Sequence, residues 1–416
     1  MIGVGVFTSV GFQLADLPSG FPVLMLWIAG GIVSLCGALC YAELVAMLPK
    51  SGGEYHLLRE AYHPALGFLA GWISICAGFA APIAAIAIVF GKYVHSLGFT
   101  LLKPEQTAAL LVLGIMLVYL GSLRASSAFL SVMTALKVLL ILAFIIGALF
   151  AKSVAVSLLP KTGDWTLITS PDFATSLAFV MFAYLGWNGA AYVAGELEHP
   201  QRTVPLAFLL GILAVMVLYI ALNAVFLSYA PWEEMRGREE AALIAAKAMF
   251  GGRGGWWMGA LIAFGIVSTV AGFTWSGSRV AQRMGQDFRG LSFLAVNNAS
   301  GSPVMALLVQ TVLALVMLFS GSFDQVINYL MSQLIVCSML AVVAVVVLRL
   351  TSPDTPRPFR VPLYPLPVIL FVAMSLWMLV FQIKRYTVES EWGLVTLVVG
   401  AAVYFLISVY ERRPHR

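Results

Sequence analysis

The segment DFATSLAFVMFAYLGWNGAAYVAG, residues 172–195, reads as a membrane-crossing helix with a flaw at its centre. It is apolar over more than the roughly eighteen residues that a helix needs to cross a hydrocarbon core about 30 Å thick. Yet Phe182-Ala183-Tyr184-Leu185-Gly186-Trp187-Asn188 interrupts it at mid-depth. A spanning helix must satisfy its own backbone in lipid, so such an interruption is expensive unless the freed amides and carbonyls line a cavity. The stretch therefore points to an all-α polytopic membrane protein whose function sits inside the helical bundle.

The rest of the chain agrees. Of 416 residues, 61% are hydrophobic and 10% charged, against roughly 25% charged in an ordinary soluble domain. Spans are predicted near 21–48, 66–94, 104–121, 125–151, 172–195, 204–229, 255–280, 303–320, 324–349, 366–383 and 392–410, with a shorter apolar piece at 1–14 before them. The longest polar connection, Pro231 to Arg253, itself has helical character, so residues 1–416 form a single transmembrane domain. Met1 is followed at once by Ile2-Gly3-Val4-Gly5 with no basic n-region, which does not read as a cleavable signal. The net charge of +5 is spread over short loops, arguing for membrane orientation and against nucleic acid. A modest excess of Lys and Arg, including Lys50, Arg59, Arg202 and Arg283, marks the predicted cytoplasmic face.

Gly3-Val4-Gly5 is a second interruption. The two breaks open comparable blocks, 1–151 and 172–349, each of five spans counting the partial first one. This is the order expected of a five-plus-five inverted-repeat transporter, with two further helices over 366–410. Beyond each break a half-helix presents unpaired N–H groups and a positive dipole end, and before it carbonyls stand unpaired. A zwitterion fits that pairing, its carboxylate at the amides and its ammonium at the carbonyls. For Gly3 and Gly5 the competing account is close helix packing through small residues.

Polar groups inside the spans are few. Lys137 lies deep in TALKVLLILAF, where an ammonium costs at least about 2.5–3.5 kcal/mol; snorkelling to an interface is the alternative to a functional role. Tyr219 and Asn223, one turn apart, are suited to interhelical hydrogen bonds. Glu43, Glu54, Glu196 and Glu198 fall near predicted cytoplasmic ends beside Lys50, Arg59 and Arg202 and read as solvated rim charges, with ion pairs that open and close with an inner gate as the alternative. The run PRPFRVPLYPLP, 356–367, reads as a stiff connection. Cys36, Cys40, Cys76 and Cys337 all lie in spans at no metal-ligand spacing and are assigned to packing. The histidines His56, His63, His95, His199 and His415 form no ligand pair, and no Ser/Lys or Asp/Asp pair stands out, so neither an enzyme nor a cofactor is expected.

Five segments together resemble the amino acid-polyamine-organocation transporter superfamily, and within it the L-type amino acid transporter group. They are IGVGVF at 2–7, YAELVAMLPKSGGEYHLLREAY at 41–62, TALKVLLIL at 134–142, FAYLGWNGAAYVAGELEHPQRTVP at 182–205 and PRPFRVPLYPLPVI at 356–369. The resemblance implies alternating access around two discontinuous helices. It implies that Gly3, Val4 and Gly5, with Ile2 beside them, hold the substrate carboxylate, and that carbonyls at Phe182, Ala183 and Leu185 take the ammonium. Phe182 would close over the substrate from outside, and Trp187 and Asn188 would shape the side-chain pocket; for Phe182 and Trp187 the competing account is lipid or core packing. Lys137 would stand where sodium-coupled relatives hold an ion, with Ser268 and Thr269 at the edge of that site and Tyr219 among the gating groups. Val4 departs from the Ser, Ala or Gly usual in the family, and the half-helix that the family carries before the first break is missing as written, which suggests an internal methionine taken as the start or a fragment.

The expected activity is secondary transport of amino acids across the cell membrane, sodium-independent, by exchange or proton coupling. Neutral substrates are favoured because no Asp or Glu lies within either break. The alternatives are polyamine or other amine transport, and a sensor that binds an amino acid without moving it. Heavy-chain partners of animal relatives require a cysteine in an outside loop; none is found here, so no disulfide-linked partner is expected.

Overall fold

The computed structural model describes residues 2–121, 124–151, 158–192, 194–196 and 198–412. Met1 and the side chain of Glu196 lie outside the described residues. The helices are α1 (Gly5–Asp16), α2 (Gly20–Met47), α3 (Glu54–Ala61), α4 (Pro64–Ser96), α5 (Pro104–Gly121), α6 (Arg124–Ala148), α7 (Pro171–Tyr184), α8 (Gly189–Tyr192), α9 (Pro200–Tyr229), α10 (Ala241–Asp287), α11 (Val304–Ser320), α12 (Phe323–Thr351), α13 (Leu366–Arg385) and α14 (Thr387–Arg412). Among the described residues nine helices are long and apolar enough to cross a membrane. The broken helices and the shorter α11 complete the bundle, giving an all-α polytopic membrane fold.

Each long helix is sorted by face. On α9, Val204, Phe208, Ile212, Val215, Tyr219 and Leu222 are buried, while Leu206, Leu210, Leu213 and Val217 are exposed. That spacing of three and four residues puts one stripe inward and leaves an equally apolar stripe for lipid. Hydrophobicity alone therefore cannot tell inside from outside, and polar residues such as Tyr219 mark the inner stripe. Helices α1, α2, α7 and α9 pack together, with α13 against α2 and α7. Helices α3, α4, α5, α10, α11 and α12 form a second group, and α6 joins α9 to α10.

Two departures from the sequence reading concern shape. The polar connection ahead of the 255–280 span is continuous with it: α10 begins at Ala241 and kinks at Gly251, where φ is 71°. Within α4, residues Ser74–Ala80 form a turn of π-helix, a widening often found beside functional sites.

Glu43 is a correction. It is 1% exposed and not a solvated rim charge. Its carboxylate accepts from Arg349 at 2.8 and 2.6 Å and from the Val361 amide at 2.7 Å, with Arg357 at 3.7 Å. Arg357 in turn donates to the carbonyls of Leu348, Ser352, Pro353 and Thr355. The Pro-rich run is thus tied down on α2 and the end of α12. Removing one partner of a buried charge pair costs about 3–5 kcal/mol because the other charge stays buried without compensation. Glu43→Ala is accordingly expected to lower the thermal stability of the purified protein in detergent by several degrees, and an unchanged melting temperature would contradict this account.

Candidate functional site

The two breaks meet at the centre of the bundle. α7 ends at Tyr184; Leu185 is extended (ψ 148°), Gly186 turns at φ 93°, and the chain resumes as α8. On the other side Ile2 and Gly3 are non-helical and α1 starts at Gly5 after Val4, with no side-chain cap. The first amides of a helix have no intrahelical partner, so the start of α1 offers donors. A Cβ on Gly5 would lie 2.5 Å from the Cα of Ala183, so the broken helices touch backbone to backbone. Gly5 therefore serves the close packing weighed above as well as the break. Ser9 adds a hydrogen bond to the Phe179 carbonyl at 3.2 Å.

A cavity of about 300 Å³ opens beside this crossing, at the lower end of the range for small-molecule sites. Ile2, Gly3, Val4, Gly5, Phe182, Ala183, Leu185 and Asn188 line it, as do Lys137, Ser268 and Thr269. Trp187 and Tyr219 do not. Trp187 turns its ring onto Tyr41 at 4.8 Å and Phe208 at 6.4 Å, side chains of α2 and α9. Tyr219 is fully buried behind the second break, where its hydroxyl donates to the Ala183 carbonyl at 3.2 Å. Asn223 donates to the Tyr219 carbonyl at 2.8 Å.

Lys137 is 6% exposed, and its ammonium donates to the Ile2 carbonyl and to Thr269 Oγ1, each at 2.9 Å. Among the described residues no carboxylate lies within ion-pair distance of it. Carbonyl and hydroxyl oxygens alone balance the charge, which is the ligand set of a hard cation. Ser268 donates to the Gly265 carbonyl at 2.9 Å, keeping the turn of α10 that carries Thr269 in place.

On one side the cavity is roofed by aromatic rings. Phe182 meets Phe323 edge-on at 6.2 Å, and Phe12 stacks on Phe179 and Phe323 at 5.2 and 5.7 Å. Above this layer Arg385 bridges Asp16 and Asp172, at 2.8 Å each. These groups come from the ends of α1, α7 and α13 away from Lys50, the predicted outer face.

Glu54 was read as a rim charge, and its placement corrects that. It is 4% exposed and lines the cavity, with Tyr192, Phe79 and Gly78 beside it. No acid lies in the breaks themselves, yet folding brings one to the same cavity. The signal available was a Glu directly after Gly52-Gly53, in the same loop as Lys50.

The amino acid permease family model matches residues 1–407. The chain belongs to the amino acid permease family. It is 31% identical to the mouse b(0,+)-type amino acid transporter 1, over 99% of this chain and 85% of that protein. It is 30% identical to the mouse large neutral amino acids transporter small subunit 2, covering 100% of this chain and 79% of the relative. The human cystine/glutamate transporter is 28% identical over 100% of this chain and 83% of its own length. This permease is thus a multi-pass integral membrane transporter, not an enzyme.

The contact between Gly5 and Ala183 yields a prediction. Gly5→Ala must push the broken helices apart, and since a displacement of about 1 Å at a positioned site can cost on the order of a hundredfold, substrate binding to the folded variant should fall at least tenfold. Scintillation proximity binding checks this; wild-type affinity would show that the crossing is not part of the site.

Proposed function

We propose that this permease exchanges amino acids, preferentially neutral ones, across the cell membrane without sodium. The observation that carries the reading is Lys137, whose ammonium binds the Ile2 carbonyl and Thr269 at 2.9 Å. A fixed cation at the first break does what a bound sodium ion does elsewhere, neutralising the carbonyl end of unwound backbone. Transport then needs no ion gradient to assemble the site.

In this reading the substrate carboxylate meets the Val4 and Gly5 amides at the positive end of α1. The ammonium takes the remaining lone pairs of carbonyls at Phe182 and Ala183, each of which already accepts one hydrogen bond. The side chain extends toward Leu185 and Asn188, and Phe182 covers the site from outside. Residues 1–151 and 172–349 act as the two repeats, with 366–410 added outside them. The described cysteines all lie in helices, consistent with work independent of a disulfide-linked heavy chain.

Glu54 favours a second reading, transport of a cationic amine. Against it, the carboxylate already accepts three internal hydrogen bonds, which leaves little capacity for a ligand.

The test is counterflow of labelled neutral amino acids into proteoliposomes preloaded with unlabelled ones, in sodium-free buffer. Flux dependent on internal amino acid is expected, with Lys137→Ala falling by at least about tenfold, as loss of a hydrogen-bonded buried charge implies. Obligatory sodium would defeat the assignment of Lys137, and saturable binding without flux would indicate a sensor.

A further inference from the structure

Glu54 is the first residue of α3, on the helix group that includes α4 and α12. Its donors come from α2 and from the segment that leaves the second break. Tyr41 of α2 donates to Oε1 at 2.9 Å, Asn188 Nδ2 to the same oxygen at 2.7 Å, and the Tyr192 hydroxyl to Oε2. Asn188 closes the second break and Tyr192 ends α8, so two of the three donors belong to the half-helix beyond that break. The loop before Glu54 completes the seat. The Gly53 amide donates to the Ala191 carbonyl at 3.3 Å, and Ser51 Oγ receives the Gly195 amide at 3.1 Å. Gly53 itself must be glycine, since its φ is 55° and a Cβ there would lie 2.2 Å from the Tyr192 ring. Ser51-Gly52-Gly53-Glu54 is therefore a seat for Asn188, Ala191, Tyr192 and Gly195.

We propose that Glu54 is a positioning residue that docks the half-helix beyond the second break onto α3, and that release of this docking is a step of the transport cycle. The proposal rests on the transport reading above. The arrangement mirrors the first break, where Lys137 of α6 holds the Ile2 carbonyl. There a cation binds the carbonyl end of unwound backbone; here an anion binds the donors of the half-helix that follows. A carboxylate suits a reversible latch, because its bonds to neutral donors are charge-assisted when formed and each donor can turn to other acceptors when released. Three of its roughly four acceptor positions are filled from within the protein, which fits docking better than ligand capture.

The test uses the full chain with Ser51→Cys and Gly195→Cys as a docking reporter, since a Cβ at Gly195 would lie 3.0 Å from Ser51 Oγ. Weakening charge-assisted bonds to a buried carboxylate changes an equilibrium by about tenfold or more. Glu54→Gln should therefore slow oxidative cross-linking of the reporter pair by about that factor. In the protein without the reporter it should lower counterflow turnover comparably, with KM within about threefold. Tyr192→Phe, which keeps the ring against Phe79, should give a smaller shift in the same direction. Glu54→Gln combined with Asn188→Asp restores a carboxylate–amide pair in reverse order and should recover cross-linking. Wild-type cross-linking and turnover in both single variants would overturn the docking role. So would selective loss of lysine and arginine uptake with cross-linking unchanged, which would assign the carboxylate to a cationic substrate. If the wild-type protein showed no flux, the transport reading would fail while the cross-linking arm still decided whether Glu54 docks the half-helix.

Discussion

Unwound backbone inside a bilayer has to be satisfied by something other than water, and this constraint organises the centre of the permease. Each broken helix exposes carbonyls at one end and amides at the other, at a depth where an unsatisfied group costs several kcal/mol. The protein answers with a small set of polar side chains, nearly all drawn from other helices. Lys137 takes the Ile2 carbonyl, Tyr219 takes the Ala183 carbonyl, and Ser9 takes the Phe179 carbonyl. What remains, the first residues of α1 together with Phe182, Ala183 and Leu185, lines the cavity, so the polarity of its wall there comes from backbone groups as well as from side chains.

Much of this was legible in the sequence, for a definite reason. Lipid imposes a one-dimensional rule, apolar for the length of a span, so exceptions to it stand out against a quiet background. Lys137 and the two glycine-bearing interruptions are such exceptions, and the structure brings them to one cavity. Glu43 and Glu54 are exceptions of the same kind that sit within a turn or two of polar loops, where a charge looks cheap. Nothing local distinguishes a solvated carboxylate from one covered by residues far away in the chain, such as Arg349 from position 43 or Tyr192 from position 54. Trp187 fails in the opposite sense. Its neighbourhood is right, but which way a side chain points after a left-handed glycine at 186 depends on backbone angles that composition does not encode. The π turn at Ser74–Ala80 leaves no mark in an all-apolar span for the same reason.

The same geometry restricts how the molecule can move. Gly5 and Ala183 are in backbone contact, and such contacts have no slack: separating them opens a void and sliding them forces a clash. The two broken helices, pinned further by Ser9, are thereby constrained to move together near their crossing. Motion has to be taken up where the links are long side chains that can exchange partners. Lys137 reaches the first break from α6 while also holding Thr269 of α10, and Arg385 spans Asp16 and Asp172 at the far end. An interior this tightly packed rearranges between discrete packings and does not deform smoothly, so a change at the crossing beside the cavity of about 300 Å³ shifts the two breaks as one unit and reaches the distant helices only by exchanging the side-chain links at the periphery.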